Sequence, residues 1–310
     1  MNIQATLLII ILISIIIDLL IGELPSKIHP VVWMGKLIDI LTRLLIGYRN
    51  KMTGIILTLI VVITFTLATY VLISISVNNN IIYIIISSII LTTMFAIKVL
   101  FNSASNIKRD LEKDIVTARK NLSYLVSRQT DSLTNEEIIS ATIETLTENI
   151  TDSVIAPLFY TFIFGVIGAV FYRAVNTLDA MVGYKKPDTI NIGWFPAKLD
   201  DVLNYLPARI TGIIMVFAAY LLDMNWNNAY MIMRRDARNP DSPNSGFPMA
   251  AAAGALGVKL KKIDYYEIGD DLNPLKVDTI SDAIKLTKIT IILFLILSYL
   301  IYILIFFIVI

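Results

Sequence analysis

Residues 144–185 read ETLTENITDSVIAPLFYTFIFGVIGAVFYRAVNTLDAMVGYK. An acidic, amide-rich start runs into an apolar segment and emerges in a second polar cluster. At helical spacing Glu144, Glu148 and Asp152 fall four apart and share one face. Carboxylates so placed repel one another unless a cation sits between them. On the far side Arg173, Asn176 and Asp179 are three apart and also share a face. Between the clusters lie only about 20 mostly apolar residues, the length of one bilayer core as a straight helix. Pro157 breaks the hydrogen-bond ladder near the start of this run, so a bent or partly re-entrant segment also fits.

The composition sets the class. The chain has 310 residues, is 56% hydrophobic and has a mean hydropathy of +0.72. Only 16% of its residues are charged, against about 25% in soluble domains. That much apolar surface cannot all be packed inside one globule of this size. The expectation is an all-α, polytopic integral membrane protein with about five to six apolar helices. A net charge of +1 gives no basic surface for nucleic acid. With no cysteine, disulfides, thiolate metal sites and cysteine nucleophiles are excluded.

Apolar segments read at about 3–21, 54–77, 81–101, 153–171, 207–222 and 289–310, within a single membrane-embedded domain over 1–310. The first lacks a basic leader and carries Asp18 where a small-residue cleavage site is expected, so it reads as a retained helix. Segments 54–77 and 81–101 form a hairpin around Asn78, Asn79 and Asn80. Soluble helical inserts read at 102–150 and 223–288. In the first, Ile107, Leu111, Ile115, Ala118, Leu122 and Leu125 recur as one amphipathic helix. Thr134 and Glu137 then make a capping-box signal for a second helix. Its apolar line is Ile139, Ile143, Leu146 and Ile150, with Glu144 and Glu148 on a polar side. Residues 172–206 read as a polar loop.

Lys and Arg place 22–53, 102–152 and 223–288 on the cytoplasmic side. Two topologies follow. If 153–171 and 207–222 cross the bilayer, 172–206 faces the opposite side. If they are packed as buried or re-entrant helices, every polar cluster faces the cytoplasm. The second is preferred, because polar groups that work together must meet on one side.

Five stretches in order carry the chemistry: DLLIGELPSKIHPVVWMG (18–35), TENITDSVIAPLFY (147–160), YRAVNTLDAMVGYK (172–185), PAKLDDVLNYLPAR (196–209) and DSPNSGFPMAAAAGALGVKL (241–260). Together they resemble the adenosylcobinamide-phosphate synthase family of cobalamin biosynthesis, an integral membrane family. The resemblance spans about 18 to 288. Departures are Gly22-Glu23-Leu24 for the family's Gly-Asp-Pro, Met249 for an acidic residue, and Asn239-Pro240-Asp241 where a histidine is usual.

The resemblance implies a ligase that uses ATP to form a C–N bond. It would join adenosylcobyric acid to aminopropanol phosphate, or to aminopropanol. Mg²⁺ would be a cofactor and the corrinoid a substrate. Asp179, Asn176, Glu148 and Asp201 are the implied catalytic residues. Arg173, Lys185, Arg209, Asn149, Asn244 and His29 would bind substrate or phosphate, and Asp152, Asp179 and Asp200 the metal. Mg²⁺ takes few protein carboxylates beside phosphate oxygens and water. Adjacent Asp200 and Asp201 differ by about 100° on a helix, so one is expected to serve the site and the other to be capped or solvated.

A solvated helix face is the competing reading for Glu148 and Asp152, and a structural hydrogen bond for His29. Residues 242–246 are turn chemistry that either cradles phosphate or leads into a helix, with Ala250–Ala253, Gly254 and Ala255 as a small-residue contact face. No P-loop or Rossmann turn occurs.

The expected location is the cell membrane, multi-pass. Expected partners are the corrinoid, the amino alcohol and the lipid bilayer, with other corrinoid-pathway enzymes and a homo-oligomer as further candidates; nucleic acid is not among them. Two readings compete with the ligase. A cation-coupled transporter would use Asp18, Glu148 and Asp179 as an ion path. A non-catalytic membrane scaffold would assemble corrinoid enzymes.

Overall fold

The computed structural model describes residues 3–45, 50–183 and 190–309. The described chain is almost entirely helical. In order it forms α1 (Ile3–Leu20), α2 (Pro30–Leu45), α3 (Lys51–Ser76), α4 (Asn80–Thr92), α5 (Ile97–Leu111), α6 (Ile115–Leu122) and α7 (Asn135–Ile150). A π-helical turn (Thr151–Ile155) leads into α8 (Ala156–Val182). Then come α9 (Trp194–Leu221), α10 (Trp226–Asp236), α11 (Gly246–Leu256), strands β1 (Leu260–Lys262) and β2 (Tyr266–Ile268), and α12 (Val277–Val309). Among the described residues five helical stretches are long and apolar enough to cross a membrane: 51–76, 80–111, 135–182, 194–221 and 277–305. This is a polytopic helical membrane protein.

Packing divides the chain into two compact units. The first comprises 1–97, 156–203 and 299–310; the second comprises 98–155 and 204–298.

In the first unit α1 packs on α4, and α8 packs against α2, α3 and α4. The α1–α4 seam is tied by small polar side chains. Ser14 Oγ donates to the Ser88 carbonyl at 3.1 Å, and Thr92 Oγ1 to the Ser14 carbonyl at 3.3 Å. Interhelical bonds of this kind hold helices together where lipid removes the hydrophobic drive between them. Asn79 starts α4 by accepting from the Ile81 and Ile82 amides, so the expected hairpin turn is a helix cap. The outer side of α3 exposes Ile56, Leu59, Ile63 and Leu67, an apolar stripe suited to lipid.

One expectation is extended and one corrected here. The apolar run bends at Gly165, whose φ of 67° and ψ of −164° interrupt α8. Pro157 lies just after the π turn, inside the continuous helical stretch 135–182, where its missing amide interrupts the ladder as read. By contrast, 172–206 is not a loop: α8 runs on to Val182 and α9 begins at Trp194, so both flanking motifs are helical.

In the second unit the single amphipathic helix expected over 107–125 is two helices. Asp114 accepts from the Val116 and Thr117 amides and restarts the chain as α6. Ile107, Ala118 and Leu122 nonetheless share one core with Leu133, Ile138 and Ala141. The Thr134–Glu137 capping box forms as read, with Thr134 N donating to Glu137 Oε2 at 2.7 Å and Glu137 N to Thr134 Oγ1 at 3.3 Å. The small-residue face of α11 lies against α10. A Cβ on Gly254 would meet the Ala229 Cα at 2.6 Å, and Asn228 Nδ2 donates to the Gly254 carbonyl at 2.9 Å.

Gly54 on α3 lies directly against the Ile192 backbone, where a Cβ would overlap the carbonyl. Gly54→Ala is therefore expected to destabilise the detergent-solubilised protein by about 1–3 kcal/mol, the cost of overpacking against a part that cannot rotate away. The drop in thermal midpoint measures it; an unchanged midpoint contradicts this contact.

Candidate functional site

The first unit gathers most of the third and fourth motifs. Arg173 Nη1 donates to Asn176 Oδ1 at 3.1 Å, one helical turn away. Asn176 Nδ2 crosses from α8 to α9 and donates to Asp200 Oδ1 at 3.3 Å. Asp200 is only 8% exposed. Its neighbour Asp201 points elsewhere and pairs with the exposed Lys198 at 2.9 Å. The adjacent aspartates are thus separated by helix geometry, as their sequence spacing implies.

Asp179 stands one turn beyond Asn176 and lies in the field of both Asp200 and Asp201. Among the described residues no donor hydrogen-bonds its carboxylate. Gly183 leaves room for it, since a Cβ there would strike Asp179 Oδ1. The Tyr160 hydroxyl donates to the Leu203 carbonyl at 2.9 Å, and its ring stacks on Tyr172 with centroids 5.4 Å apart. An aromatic face therefore lines this part of the α8–α9 contact.

His29 begins α2. Its Nδ1 accepts from the Val31 amide at 3.3 Å, and its carbonyl accepts from Val32 and Trp33. An accepting Nδ1 carries no proton, so the proton of the neutral ring is on Nε2. Burial is the main cause of a pKa below the ordinary 6.5; the Glu23 carboxylate pulls it back up, and Arg173 pushes it down. The structural hydrogen bond is thus real, and the ring stands in the electrostatic reach of the third motif.

The second unit holds the remaining residues. Glu144, expected on a polar side of α7, is instead buried, only 3% exposed. Arg128 Nη2 meets Glu144 Oε1 at 3.1 Å, Ser140 Oγ donates to the same oxygen at 2.8 Å, and the Tyr266 hydroxyl donates to Oε2 at 2.9 Å. For Glu144 the cation is therefore supplied by the chain itself. Arg128 and Tyr266 were not singled out, because nothing local in sequence links them to Glu144. Glu148, one turn on, is half-buried. Asn149 turns back on its own helix, donating to the Thr145 carbonyl at 2.9 Å. Asp152 lies in the π turn.

Arg209 is sandwiched between Tyr205 and Phe247, 3.4 and 4.2 Å from the ring centroids, and donates to Asn244 Oδ1 at 3.0 Å. The turn at 242–245 is closed by Ser242 Oγ, which accepts from the Asn244 and Ser245 amides at 3.3 Å each. Those amides are used within the turn, which favours a helix lead-in over a phosphate cradle. Lys185 lies outside the described residues. Among the described residues no three His, Asp or Glu side chains are grouped to hold a metal by themselves.

The fold and these contacts define a polytopic membrane protein with carboxylates buried or half-buried on its long helices. Comparison with known proteins narrows the class. The profile of the CobD/Cbib protein family matches residues 11–290. A relative from Methanothermobacter thermautotrophicus, "Probable cobalamin biosynthesis protein CobD", is 51% identical over 285 residues, covering 92% of this chain and 94% of its own. The "Cobalamin biosynthesis protein CobD" of Dehalococcoides mccartyi is 39% identical over 287 residues, covering 90% and 92%. A Methanocaldococcus jannaschii relative is 38% identical over 306 residues, covering 95% and 98%. No solved structure matches the chain. The chain belongs to the CobD/Cbib protein family. That membership ties it to cobalamin biosynthesis and is consistent with a biosynthetic enzyme.

Two outcomes follow from this geometry. Because His29 binds its proton less readily when folded, its contribution to stability is full above about pH 6.5 and declines as pH falls through that value toward the folded pKa. His29→Asn keeps a capping oxygen without a titrating ring, so the fall in thermal midpoint between about pH 8 and pH 5 should flatten; an unaltered slope assigns it to another group. Arg128→Met leaves Glu144 buried without its cation and should cost about 3–5 kcal/mol. Adding Glu144→Gln should restore much of the loss, read as paired thermal midpoints.

Proposed function

We propose that the chain is an ATP-dependent C–N ligase of the adenosylcobinamide-phosphate synthase type, working in the cell membrane. Its acid substrate is adenosylcobyric acid, and its amine is aminopropanol or its phosphate. The observation that carries this reading is the α8–α9 cluster: Arg173, Asn176 and Asp200 in one hydrogen-bonded line, with Asp179 beside them.

The reaction has two balanced steps. A carboxylate oxygen of the acid attacks the terminal phosphorus of ATP, and ADP leaves. The amine nitrogen then attacks the acyl carbon, the C–N bond forms, phosphate leaves and the nitrogen loses a proton. Arg173, fixed by Asn176, presents a guanidinium fork to phosphate oxygens. Asn176 holds Asp200 in place. Asp179 takes no hydrogen bond among the described residues, so its oxygens are available to a ligand at this site.

The donor set suits Mg²⁺. Asp179 faces two other carboxylates, a surplus of negative charge that a divalent ion would relieve. Asp179 and Asp200 would hold it, the rest of the shell coming from phosphate and water. When bound, Mg²⁺ supplies neutralisation of charge on the transferring phosphoryl group. Asp152, in the π turn, is the further metal ligand that the resemblance implies.

Purified protein supplied with the acid, each amine in turn and ATP with Mg²⁺ should release ADP and form the amide, read by mass. Asp179→Asn should lower kcat by about 10²-fold or more while leaving expression and melting intact. Failure of the wild-type protein to form any amide overturns the proposal and favours the scaffold reading.

A further inference from the structure

We infer that Glu148 and Thr151 form a binding subsite for a primary ammonium group at the junction of α7 and the π turn. The inference rests on the ligase reading only for the identity of the amine; the site itself is read from the second unit.

Consecutive turns of α7 treat their carboxylates differently. Glu144 has all its oxygens engaged by Arg128, Ser140 and Tyr266. Glu148 is half-buried and, among the described residues, has neither a hydrogen bond nor an ion pair. It stands in the field of Lys262, Glu144 and Arg128, and its own charge is felt at the Tyr266 hydroxyl. Arg128 is committed to Glu144, and Lys262 makes no ion pair with Glu148. A carboxylate left like this in the protein interior is costly unless a ligand answers it.

A second observation points to the same place. Thr151 is 3% exposed, and its hydroxyl has no partner among the described residues. Thr142, Thr147 and Thr161 on the same stretch each bond the carbonyl four residues back. Thr151 opens the π turn, and its amide donates to the Glu148 carbonyl, so the two side chains lie one turn apart on neighbouring positions. π turns interrupt helices at functional sites more often than elsewhere.

The chemistry selects the ligand. A primary ammonium has three donors and no acceptor. Two carboxylate oxygens and one hydroxyl oxygen match it in number. A divalent ion would want more oxygen ligands than this place offers, and among the described residues no three-acid group exists.

The test uses the full chain in nanodiscs without ATP or corrinoid, so it is independent of turnover. The probes are 1-aminopropan-2-ol, its O-phosphate, and propane-1,2-diol as the uncharged control, titrated by calorimetry. The wild-type chain should bind the two amines and not the diol. Glu148→Gln should weaken amine binding roughly tenfold or more, and Thr151→Val several-fold, with melting retained. If Glu148→Gln does not fold, Thr151→Val and Glu148→Asp carry the same comparison.

Amine affinity unchanged in these variants overturns the subsite, as does Mg²⁺ alone competing with the amine for Glu148. Amide formation with an unaltered KM for the amine in both variants overturns it too, while leaving the ligase reading standing. Amine binding lost in the variants, together with a wild-type chain that forms no amide, leaves the subsite and removes the ligase.

Discussion

A carboxylate buried among membrane-length helices is costly unless something answers its charge. Much of the polar architecture of this chain can be read from that constraint. Asn176 reaches from α8 to α9 to bond Asp200. Lys198 takes Asp201 on the exposed side of the same helix. In the second unit Arg128, Ser140 and Tyr266 converge on Glu144, and the amide of Lys261 bonds Ser140 Oγ at 2.9 Å. The short β1–β2 hairpin is thereby fixed to α7 by the same polar node that neutralises the glutamate.

Much of this fold was legible in the sequence. Apolar runs give helices whatever their neighbours do, so their existence follows from composition and period. Caps are equally local: Thr134 with Glu137 needs only four residues to be recognised, and forms as read. A close contact on the small-residue face of α11 was legible, because only small residues permit such an approach, but its partner α10 was not. Element boundaries were less legible. The period of Ile107 to Leu125 continues across Asp114, so an apolar pattern alone cannot reveal that a side-chain cap restarts the helix there. Residues 172–182 and 194–206 were read as loop because their polarity suits one, yet that polarity is one face of two helices bonded to each other.

The candidate site was legible by type more than by partner. Arg173 and Asn176 share a face by spacing, and they bond. The separation of Asp200 from Asp201 also follows from spacing. The Arg128–Glu144 contact does not: sixteen residues separate the partners, and Arg128 carries no motif. Tyr266 lies 122 residues from Glu144, and its strand is three residues long, too short for any alternating pattern to announce it. Long-range pairing is set by tertiary packing, and a single sequence holds no direct trace of it.

The two places left with unanswered charge differ in kind. Asp179 faces Asp200 and Asp201, so its surroundings hold more negative charge than the nearby chain relieves. Glu148 sits instead among Arg128, Lys262 and Glu144, two cations and one acid whose sum offsets its own charge, yet neither cation pairs with it. An excess of acid favours a hard, doubly charged ion that brings its own phosphate and water ligands. A balanced setting with one spare carboxylate and one spare hydroxyl favours a singly charged group that donates hydrogen bonds. On the reading proposed above, a ligase that activates an acid with nucleotide and then admits an amine needs both kinds of positive charge. Among the described residues neither place groups three acids, so each would have to draw its remaining ligands from what it binds.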